Sequence, residues 1–182
     1  MAFPRSNTML MRSSRKPALT ERWVLDASPL ILLARIGQEG LLHALAGEVV
    51  IPQPVAIEIL AGPDTDPARL AVESGRFTTA DSPEPPDELL AWDLGQGETS
   101  VLAHALADST WTAIADDGAA RRCARSFDIP VKGTLAIVVL AKQRGLIPSA
   151  AEILKQLVSA GFHIDERVVR EVLERSVGED WR

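Results

Sequence analysis

The sequence predicts an α/β fold in which helices cover both faces of a mostly parallel central sheet. Short apolar runs with the length and β-branched content of strands alternate with longer runs that have helical spacing. The strand-like runs are "RWVLD", "EVVIP", "WTAIADD" and "IPVKG", and each is followed by a helix-like run. Strands that alternate with helices pair in parallel, because the helix returns the chain to the same end of the sheet. We therefore expect a three-layer α/β/α sandwich.

Start and stop signals place the helices. Ser28 followed by Pro29 is a typical helix start, with the proline at the first helical position. Helices are expected in "LILLARIG", "GLLHALAG", "PVAIEILAG", "GQGETSVLAHALAD", "GAARRCARSF", "TLAIVVLAKQRG", "PSAAEILKQLVSAG" and "DERVVREVLERS". The last of these carries an apolar face made of Val168, Val169, Val172 and Leu173. The segments "PDTDPARLAVESG" and "FTTADSPEPPDE" are rich in turn residues and are expected to be irregular, the second as an exposed loop.

Length and composition indicate one domain. The chain has 182 residues, of which 46% are apolar, enough for a substantial core. We expect a flexible basic tail over residues 1–22, the main domain over 23–147, and C-terminal helices packed on it over 148–182. No apolar run approaches the roughly 18 residues that span a bilayer, and the N-terminus lacks the apolar stretch of a signal peptide. The single cysteine, Cys123, excludes an internal disulfide, which suits a cytoplasmic protein.

Basic residues are concentrated in parts of an acidic chain. The formal net charge is −6. One stretch has Asp128 as its only acid and carries six basic residues: Arg121, Arg122, Arg125, Lys132, Lys142 and Arg144. An acidic protein can still bind a polyanion along one basic groove, although solvated helix faces are the simpler interpretation.

Carboxylates recur at positions that should meet at one edge of the sheet. Asp26 ends the first predicted strand, and Asp116 and Asp117 end the strand "WTAIADD". Glu98 opens a helix after "GQG", where glycines let the backbone come close to a site. Glu58 lies between two isoleucines in the helix after the second strand, so a freely solvated position is not expected. The carboxyl ends of parallel strands are the usual place for ligands.

Such a cluster predicts a divalent cation. Several carboxylates in one pocket repel one another, and a bound cation removes the repulsion. Oxygen ligands select a hard ion, Mg²⁺ or Mn²⁺, and ions held in this way commonly serve phosphodiester hydrolysis. A zinc site is not indicated, because His43, His104 and His163 are scattered.

Each carboxylate also has an ordinary structural explanation. Asp26 can be a strand-end turn residue, and Glu98 a first-turn acid that favours the helix dipole. Asp116 and Asp117 before a glycine form a common turn and helix cap. Glu58 can be paired with an arginine. Only their joint arrangement raises the odds of a shared site.

At these residues the sequence resembles the PIN-domain superfamily, and within it a branch close to the VapC-type toxins of bacterial and archaeal toxin–antitoxin pairs. The resemblance is carried by "VLDASPLILLARIG", "IPQPVAIEIL", "GQGETSVLAHALA" and "AIADDGAARRCARSFDIPVKGTLAIVVLAKQRGLI". Their order and spacing make the match specific. It implies a Mg²⁺- or Mn²⁺-dependent endoribonuclease, with RNA as substrate, an antitoxin protein as partner, and a homodimeric state.

The resemblance also implies roles for individual residues. It assigns catalytic roles to Asp26, Glu58, Glu98, Asp116 and Asp117, with the metal held by Asp26, Glu98 and one or both members of the aspartate doublet. Ser28 matches a supporting hydroxyl, and Thr134 matches a position that closes this branch's version of the fold. One departure is Glu98, where the toxins commonly carry Asp. The longer Glu side chain puts both the metal geometry and the activity in question.

Two other functions compete with the ribonuclease. Asp26 at a strand end also resembles the nucleophile of haloacid-dehalogenase-like phosphatases, but those need a second Asp two residues on, where this chain has Ser28. A PIN-like fold can also bind RNA or a protein without cutting. A dinucleotide site is not expected, because no G-x-G-x-x-G follows a strand. In the ribonuclease interpretation, Arg121, Arg122 and Arg125, together with the basic tail, would contact RNA phosphates.

Overall fold

The computed structural model describes residues 21–181, and the architecture is the expected three-layer α/β/α sandwich. Its five strands all run parallel and are ordered β3-β2-β1-β4-β5. The strands are β1 (Arg22–Leu25), β2 (Glu48–Pro52), β3 (Thr78–Ala80), β4 (Trp111–Ile114) and β5 (Val131–Lys132). The chain builds outward from β1 in one direction to β3 and in the other to β5. The strand order therefore reverses between β1 and β4, where parallel sheets of this kind leave a crevice for ligands.

Ten helices connect or follow these strands in the described part of the chain. They are α1 (Ala27–Arg35), α2 (Gly40–Leu45), α3 (Gln53–Leu60), α4 (Pro67–Glu73), α5 (Asp87–Leu90), α6 (Gln96–Ala107), α7 (Gly118–Ser126), α8 (Thr134–Gln143), α9 (Ala150–Ser159) and α10 (Glu166–Val177). One group contains α1, α3, α4 and α6, in which α3 contacts the other three and α3 and α6 also contact the strands. A second group contains α8, which packs against α2, α9 and α10.

The core fixes the central strands. Trp23, Leu25 and Ile114 are fully buried, as are Leu102 on α6 and Ile137 on α8. Strands covered on both faces lose the apolar–polar alternation of half-exposed strands, which is why β1 and β4 read as short apolar runs. Burying a large aliphatic side chain contributes about 1.5–3 kcal/mol, so this core holds the ends of β1 and β4 rigidly in place. No helix between residues 21 and 181 is long and apolar enough to cross a membrane.

The first helix starts earlier than predicted. Asp26, with extended backbone angles (φ −78°, ψ 164°), is the N-cap of α1, so the helix begins at Ala27 and not at Pro29. Pro29 falls in the first helical turn, where its missing N–H would have no intrahelical partner in any case. The strand therefore leads almost directly into the helix, and Asp26 is the single residue that connects them.

The prediction of two irregular segments was wrong where α4 and β3 form, whereas residues 81–86 of the second segment are irregular as predicted. Asp66 caps α4 by accepting a hydrogen bond from the Ala68 N–H (2.9 Å), and Pro67 occupies the first helical position. Both are standard start signals that the surrounding turn residues obscured. The short edge strand β3 and the single turn of α5 occupy the second segment.

The apolar face of α10 is only partly buried. Val169 and Leu173 are fully buried, but Val168 is 46% exposed and Val172 is half-buried. The helix packs along one edge of this face and leaves the other edge facing an open groove, which is described below. The expected basic tail falls mostly outside the described residues, and Arg22 is already the first residue of β1.

Candidate active site

The site begins where the two central strands end side by side. Leu25 of β1 pairs with Ile114 of β4, and the Asp26 N–H donates to the Ile114 carbonyl (2.9 Å). Asp26 follows β1 directly, and Asp116 comes two residues after β4. The rigid ladder thus carries one carboxylate on each side of the crevice at the strand-order reversal.

Asp26 is a buried carboxyl group. It is 5% exposed, and its side chain makes no capping hydrogen bond to α1. Burial raises the pKa of Asp26 to about 7, opposed by the Ala27 N–H and reinforced by the negative charges of Glu98, Glu58 and Asp116. The negative charges of Glu98, Glu58 and Asp116 therefore all act on Asp26.

A cavity of about 480 Å³ opens above Asp26 and is lined by Ser28, Glu58 and Glu98 among others. Its floor is made by Gly97: a β-carbon there would lie 3.0 Å from Glu58 Oε2 and 3.6 Å from Asp26 Oδ1. The two carboxylate oxygens therefore face the same point. Any larger residue at position 97 would crowd that space.

Glu58 lies at the mouth of this cavity and is exposed. The isoleucines beside it suggested that it would not be freely solvated, but Ile57 is itself 62% exposed, and only Ile59 is buried. The helix α3 turns Glu58 and Ile57 toward the open side of the cavity because its buried side is already provided by Val55, Ala56 and Ile59.

Glu98 has a structural role in addition to its position in the cavity. It is the third residue of α6, and its Oε2 accepts a hydrogen bond from the Gly95 N–H (2.9 Å). This closes the helix start in the manner of a capping box. The hydrogen bond uses one oxygen and fixes the side chain against the cavity, so the other oxygen remains available to a ligand.

Asp116 is held from two sides by Thr134. Its Oδ1 accepts from the Thr134 N–H (2.7 Å) and its Oδ2 from the Thr134 hydroxyl (2.6 Å). Burial raises the pKa of Asp116, against the effect of these hydrogen bonds and of Arg121. A β-carbon at Gly133 would lie 2.8 Å from Asp116 Oδ1 and 3.0 Å from Arg121 Nη1, so glycine is needed there.

Asp117, the other member of the doublet, points elsewhere. It is exposed, and its Oδ1 accepts from the Ala120 N–H (2.8 Å) as the N-cap of α7. Of the predicted basic residues on the same helix, Arg121 is half-buried beside Asp116, while Arg122 and Arg125 are exposed. None of these three arginines takes part in an ion pair within 4.0 Å among residues 21–181.

Four helices begin at this site. Asp26 precedes α1, Glu98 lies in the first turn of α6, Asp116 and Asp117 precede α7, and Thr134 is the first residue of α8. The N-terminus of a helix carries partial positive charge, which stabilises nearby anions by about 0.3–1 kcal/mol each. These ends offset only part of the cost of a charged Asp26, since burial and the neighbouring carboxylates still raise its pKa to about 7.

The donor set fits a hard divalent cation. Carboxylate and hydroxyl oxygens are the ligands that Mg²⁺ and Mn²⁺ prefer, and Asp26, Ser28, Glu58 and Glu98 line one cavity here. In residues 21–181, no three His, Cys, Asp or Glu side chains are gathered at metal-binding distance. Asp116 lies on the wall of a neighbouring groove and not of the cavity that contains Asp26.

Sequence reasoning missed two glycines of the site. It noted that the glycines of "GQG" permit a close approach, but it did not single out Gly97 between Glu58 and Asp26, or Gly133 beside Asp116. A glycine leaves no pattern of its own, because what makes it necessary is a carboxylate from a distant segment. The position of Gly133, one residue before a threonine that starts a helix, was the available signal.

Comparison with known proteins gives a family. A family model described as a PIN domain matches residues 22–179. Among solved structures, the crystal structure of PAE2754 from Pyrobaculum aerophilum is similar over 76% of this chain and 99% of that one, with 17% sequence identity and a TM-score of 0.47. No curated protein matches the chain.

The raised pKa of Asp26 predicts a pH-dependent effect of Asp26→Asn on the metal-free protein. The folded state binds the Asp26 proton more tightly than the unfolded state, so stability should fall as the pH rises from about 4 to 7. Asn carries no charge and removes this loss. At pH 8 the variant should be more stable by up to about 4 kcal/mol, and near pH 4 the two should match.

Urea denaturation at both pH values, with a chelator present, measures this difference. Asp87→Asn, at an exposed carboxylate in the first turn of α5, is the control for loss of one negative charge. If Asp26→Asn had the same effect as this control at pH 8, Asp26 would not be the strained carboxylate described here.

Proposed function

Because the chain belongs to the PIN-domain family, whose members are generally nucleases that use divalent metal ions, we propose that it is a Mg²⁺- or Mn²⁺-dependent endoribonuclease. The observation that carries the proposal is the buried carboxylate of Asp26, surrounded by the charges of Glu98, Glu58 and Asp116 at the end of two rigid strands. A purely structural role does not explain a buried Asp26 whose charge is opposed by three other carboxylates, and a bound cation would offset that cost.

In this proposal, Asp26, Glu98 and Asp116 hold the metal, and Glu58 acts from the mouth of the cavity. When bound, the ion supplies Lewis acidity to the phosphodiester and neutralises the carboxylate charge. The protein residues position the reaction: Thr134 fixes both oxygens of Asp116, and the Gly95 N–H fixes Glu98. Ser28, exposed in the same cavity, is placed to hydrogen-bond to Asp26 or to a substrate oxygen.

Asp116, and not Asp117, is the proposed ligand from the doublet. Asp116 is half-buried, faces Thr134 and raises the pKa of Asp26. Asp117 is exposed and already occupied as a helix cap. In this proposal Asp116 is the metal ligand and Asp117 is the helix cap, two roles that the sequence did not assign to either residue of the doublet.

Charge favours a path for the RNA strand across α7. Arg121 lies beside Asp116, and Arg122 and Arg125 continue the same helix into solvent without ion-pair partners within 4.0 Å in the described structure. A strand whose scissile phosphate reached the carboxylates could pair its neighbouring phosphates with these guanidinium groups. Single-stranded RNA fits better than a duplex, because the cavity admits a backbone that can bend into it.

The biological setting is proposed from the family resemblance alone. We propose a toxin that is held by a cognate antitoxin, acting in the cytoplasm as a homodimer. A small reading frame next to this gene that encodes a DNA-binding protein would support the pairing, and the mass of the purified protein in solution tests the dimer.

The division between the two aspartates predicts different activities for two matched variants. Asp116→Asn should slow cleavage of a single-stranded RNA by at least about a hundredfold, because a ligand charge worth several kcal/mol is lost. Asp117→Asn should cut at nearly the wild-type rate, since Asn caps a helix as well as Asp does. The measurement is the cleavage rate with Mg²⁺, with Mn²⁺ and with a chelator.

Equal loss in both variants would contradict the assignment of Asp116. If the wild-type protein bound RNA but left it intact with either ion, the protein would be a binding module without nuclease activity. Melting curves of both variants serve as the check that each one folds.

The arginines of α7 predict a change in salt dependence. On a single strand, each lost phosphate contact reduces the slope of log K against log salt by about 0.7, so replacing all three with Ala should reduce it by about 2. The control removes the same charge from exposed positions of another helix: Arg167, Arg170 and Arg175 to Ala on α10. RNA affinity is measured between low and moderate salt, without metal. An identical slope in the two triple variants would show that the α7 arginines make no specific contact.

A further inference from the structure

A second opening lies next to Asp116 and differs in chemistry from the carboxylate cavity. It is a groove of about 540 Å³ between α8 and α10, here called the α8–α10 groove. Its walls are mostly aliphatic and include Leu135 and Val139 of α8 and Val168 and Val172 of α10. Val168 is 46% exposed, so the groove presents apolar surface to solvent.

The end of the groove nearest the candidate active site carries two cations and one carboxylate. Asp116, Arg121 and Lys132 line this end. Lys132 is already paired, because its Nζ donates to Glu21 Oε2 (2.7 Å). Arg121 forms no ion pair within 4.0 Å among residues 21–181. A β-carbon at Gly133 would lie 3.0 Å from Arg121 Nη1 and 2.8 Å from Asp116 Oδ1, so the guanidinium and the carboxylate are close without touching.

Charge at this end favours an anionic occupant. In the proposed site Asp116 is a metal ligand, so the cation balances its charge and the Arg121 guanidinium is left for another anion. The mouth of the carboxylate cavity is the opposite case, because the exposed Glu58 repels phosphates. An RNA strand whose scissile phosphate lies at the carboxylates therefore has its favourable exit past Arg121 and into the groove.

The rest of the groove suits a nucleobase. Protein pockets for small molecules have volumes of roughly 300–1,000 Å³, apolar walls and a few polar groups that fix orientation. The α8–α10 groove has this volume and these walls, and His163 and Ser176 are exposed hydrogen-bonding groups in its lining. Proteins hold unstacked bases by apolar contact with the faces of the base and by hydrogen bonds to its edges.

We propose that the α8–α10 groove is a nucleotide subsite. It holds the base next to the scissile phosphate against Leu135 and Val168, while Arg121 binds the adjoining phosphate. This inference rests on the proposed function, because it requires the strand to pass the carboxylates. It adds specificity: phosphate contacts position a strand without reading it, whereas a base held in a groove of fixed shape makes binding depend on the nucleotide.

A second copy of the chain is the main alternative occupant of the groove. An apolar helix from another subunit would cover the aliphatic walls, but it would bring no anion to Arg121 at the end beside Asp116. The charge at that end therefore favours the nucleotide, and the oligomeric state of the protein becomes part of the test.

The test measures how much one base contributes to the binding of a short single-stranded RNA. Affinities are measured with a chelator present, for the intact strand and for strands that lack the base at each position in turn. The ratio of the two affinities isolates the base, because both strands carry the same phosphates. Removing the base that occupies the groove should weaken binding about fivefold, the lower end of the range for a stacked base, because the walls are aliphatic. When Mn²⁺ replaces the chelator, the cut should fall next to this position.

Val168→Gln tests whether that base binds in the groove. Gln removes apolar surface without adding a charge, so the attraction for phosphates is unchanged. The affinity ratio between the intact and the base-free strand should fall toward one. Leu70→Gln on α4 is the matched control, because Leu70 is 49% exposed and Val168 is 46% exposed, and it should keep the wild-type ratio.

A second measurement needs no substitution and so does not depend on how the variant folds. A photoreactive thiouridine is placed at the sensitive position of the strand and irradiated in the complex with wild-type protein. The crosslink should fall on α8 or α10, at residues that line the groove.

Four results would overturn the proposal. The first two are an affinity that the removal of no single base changes, and a ratio that Val168→Gln leaves at the wild-type value. The third is a crosslink confined to residues outside the groove. The fourth is self-association in solution that Val168→Gln abolishes, which would assign the groove to a second copy of the chain.

The subsite and the proposed function can fail separately. A base-dependent affinity in a protein that leaves RNA intact with either ion would retain the subsite and reject the nuclease. Cleavage at one rate, whichever base is missing from the strand, together with an affinity that no base changes, would retain the nuclease and reject the subsite.

Discussion

The structure depends on an unfavourable arrangement: a carboxylate buried at the end of β1, whose charge is opposed by those of Glu98, Glu58 and Asp116. The core makes this possible, because Trp23, Leu25 and Ile114 are fully buried and hold the ends of the two central strands in place. The pKa of Asp26, raised to about 7, is the energetic consequence. Folding therefore concentrates an energetic cost at one point of the sheet, from the lost hydration of Asp26 first and from the neighbouring negative charges second, and a bound cation would offset it.

The surroundings of the site limit this repulsion without removing it. Four helix N-termini face it, Thr134 binds both oxygens of Asp116, and the Gly95 N–H binds Glu98. Each of these contacts fixes a carboxylate in place while leaving lone pairs unused. Gly97 keeps the space between Glu58 and Asp26 open, and Gly133 does the same between Asp116 and Arg121. A site arranged in this way is preorganised for a ligand, because little has to move when the ligand arrives.

The features that could be predicted from the sequence are those with a strong local pattern. The apolar runs of β1, β2, β4 and β5 were sufficient for the fold class, and the positions of Asp26, Glu98 and Asp116 at strand ends and a helix start led to the hypothesis of a shared site. The sequence failed where the deciding contact comes from elsewhere in the chain. The strand β3 is an exposed edge with no apolar signal, the choice between Asp116 and Asp117 depends on Thr134, and the exposure of Glu58 depends on what α3 packs against.

The central claim is that Asp26 is a metal ligand, and melting with and without Mn²⁺ tests it most directly. A ligand that binds only the folded state adds about 2.7 kcal/mol at a concentration of 100 times its Kd. The account predicts that wild-type protein gains this stability from Mn²⁺ at neutral pH and that Asp26→Asn, which keeps the shape but not the charge, does not. Equal gains in both proteins, or no gain in either while RNA is still cut, would contradict it.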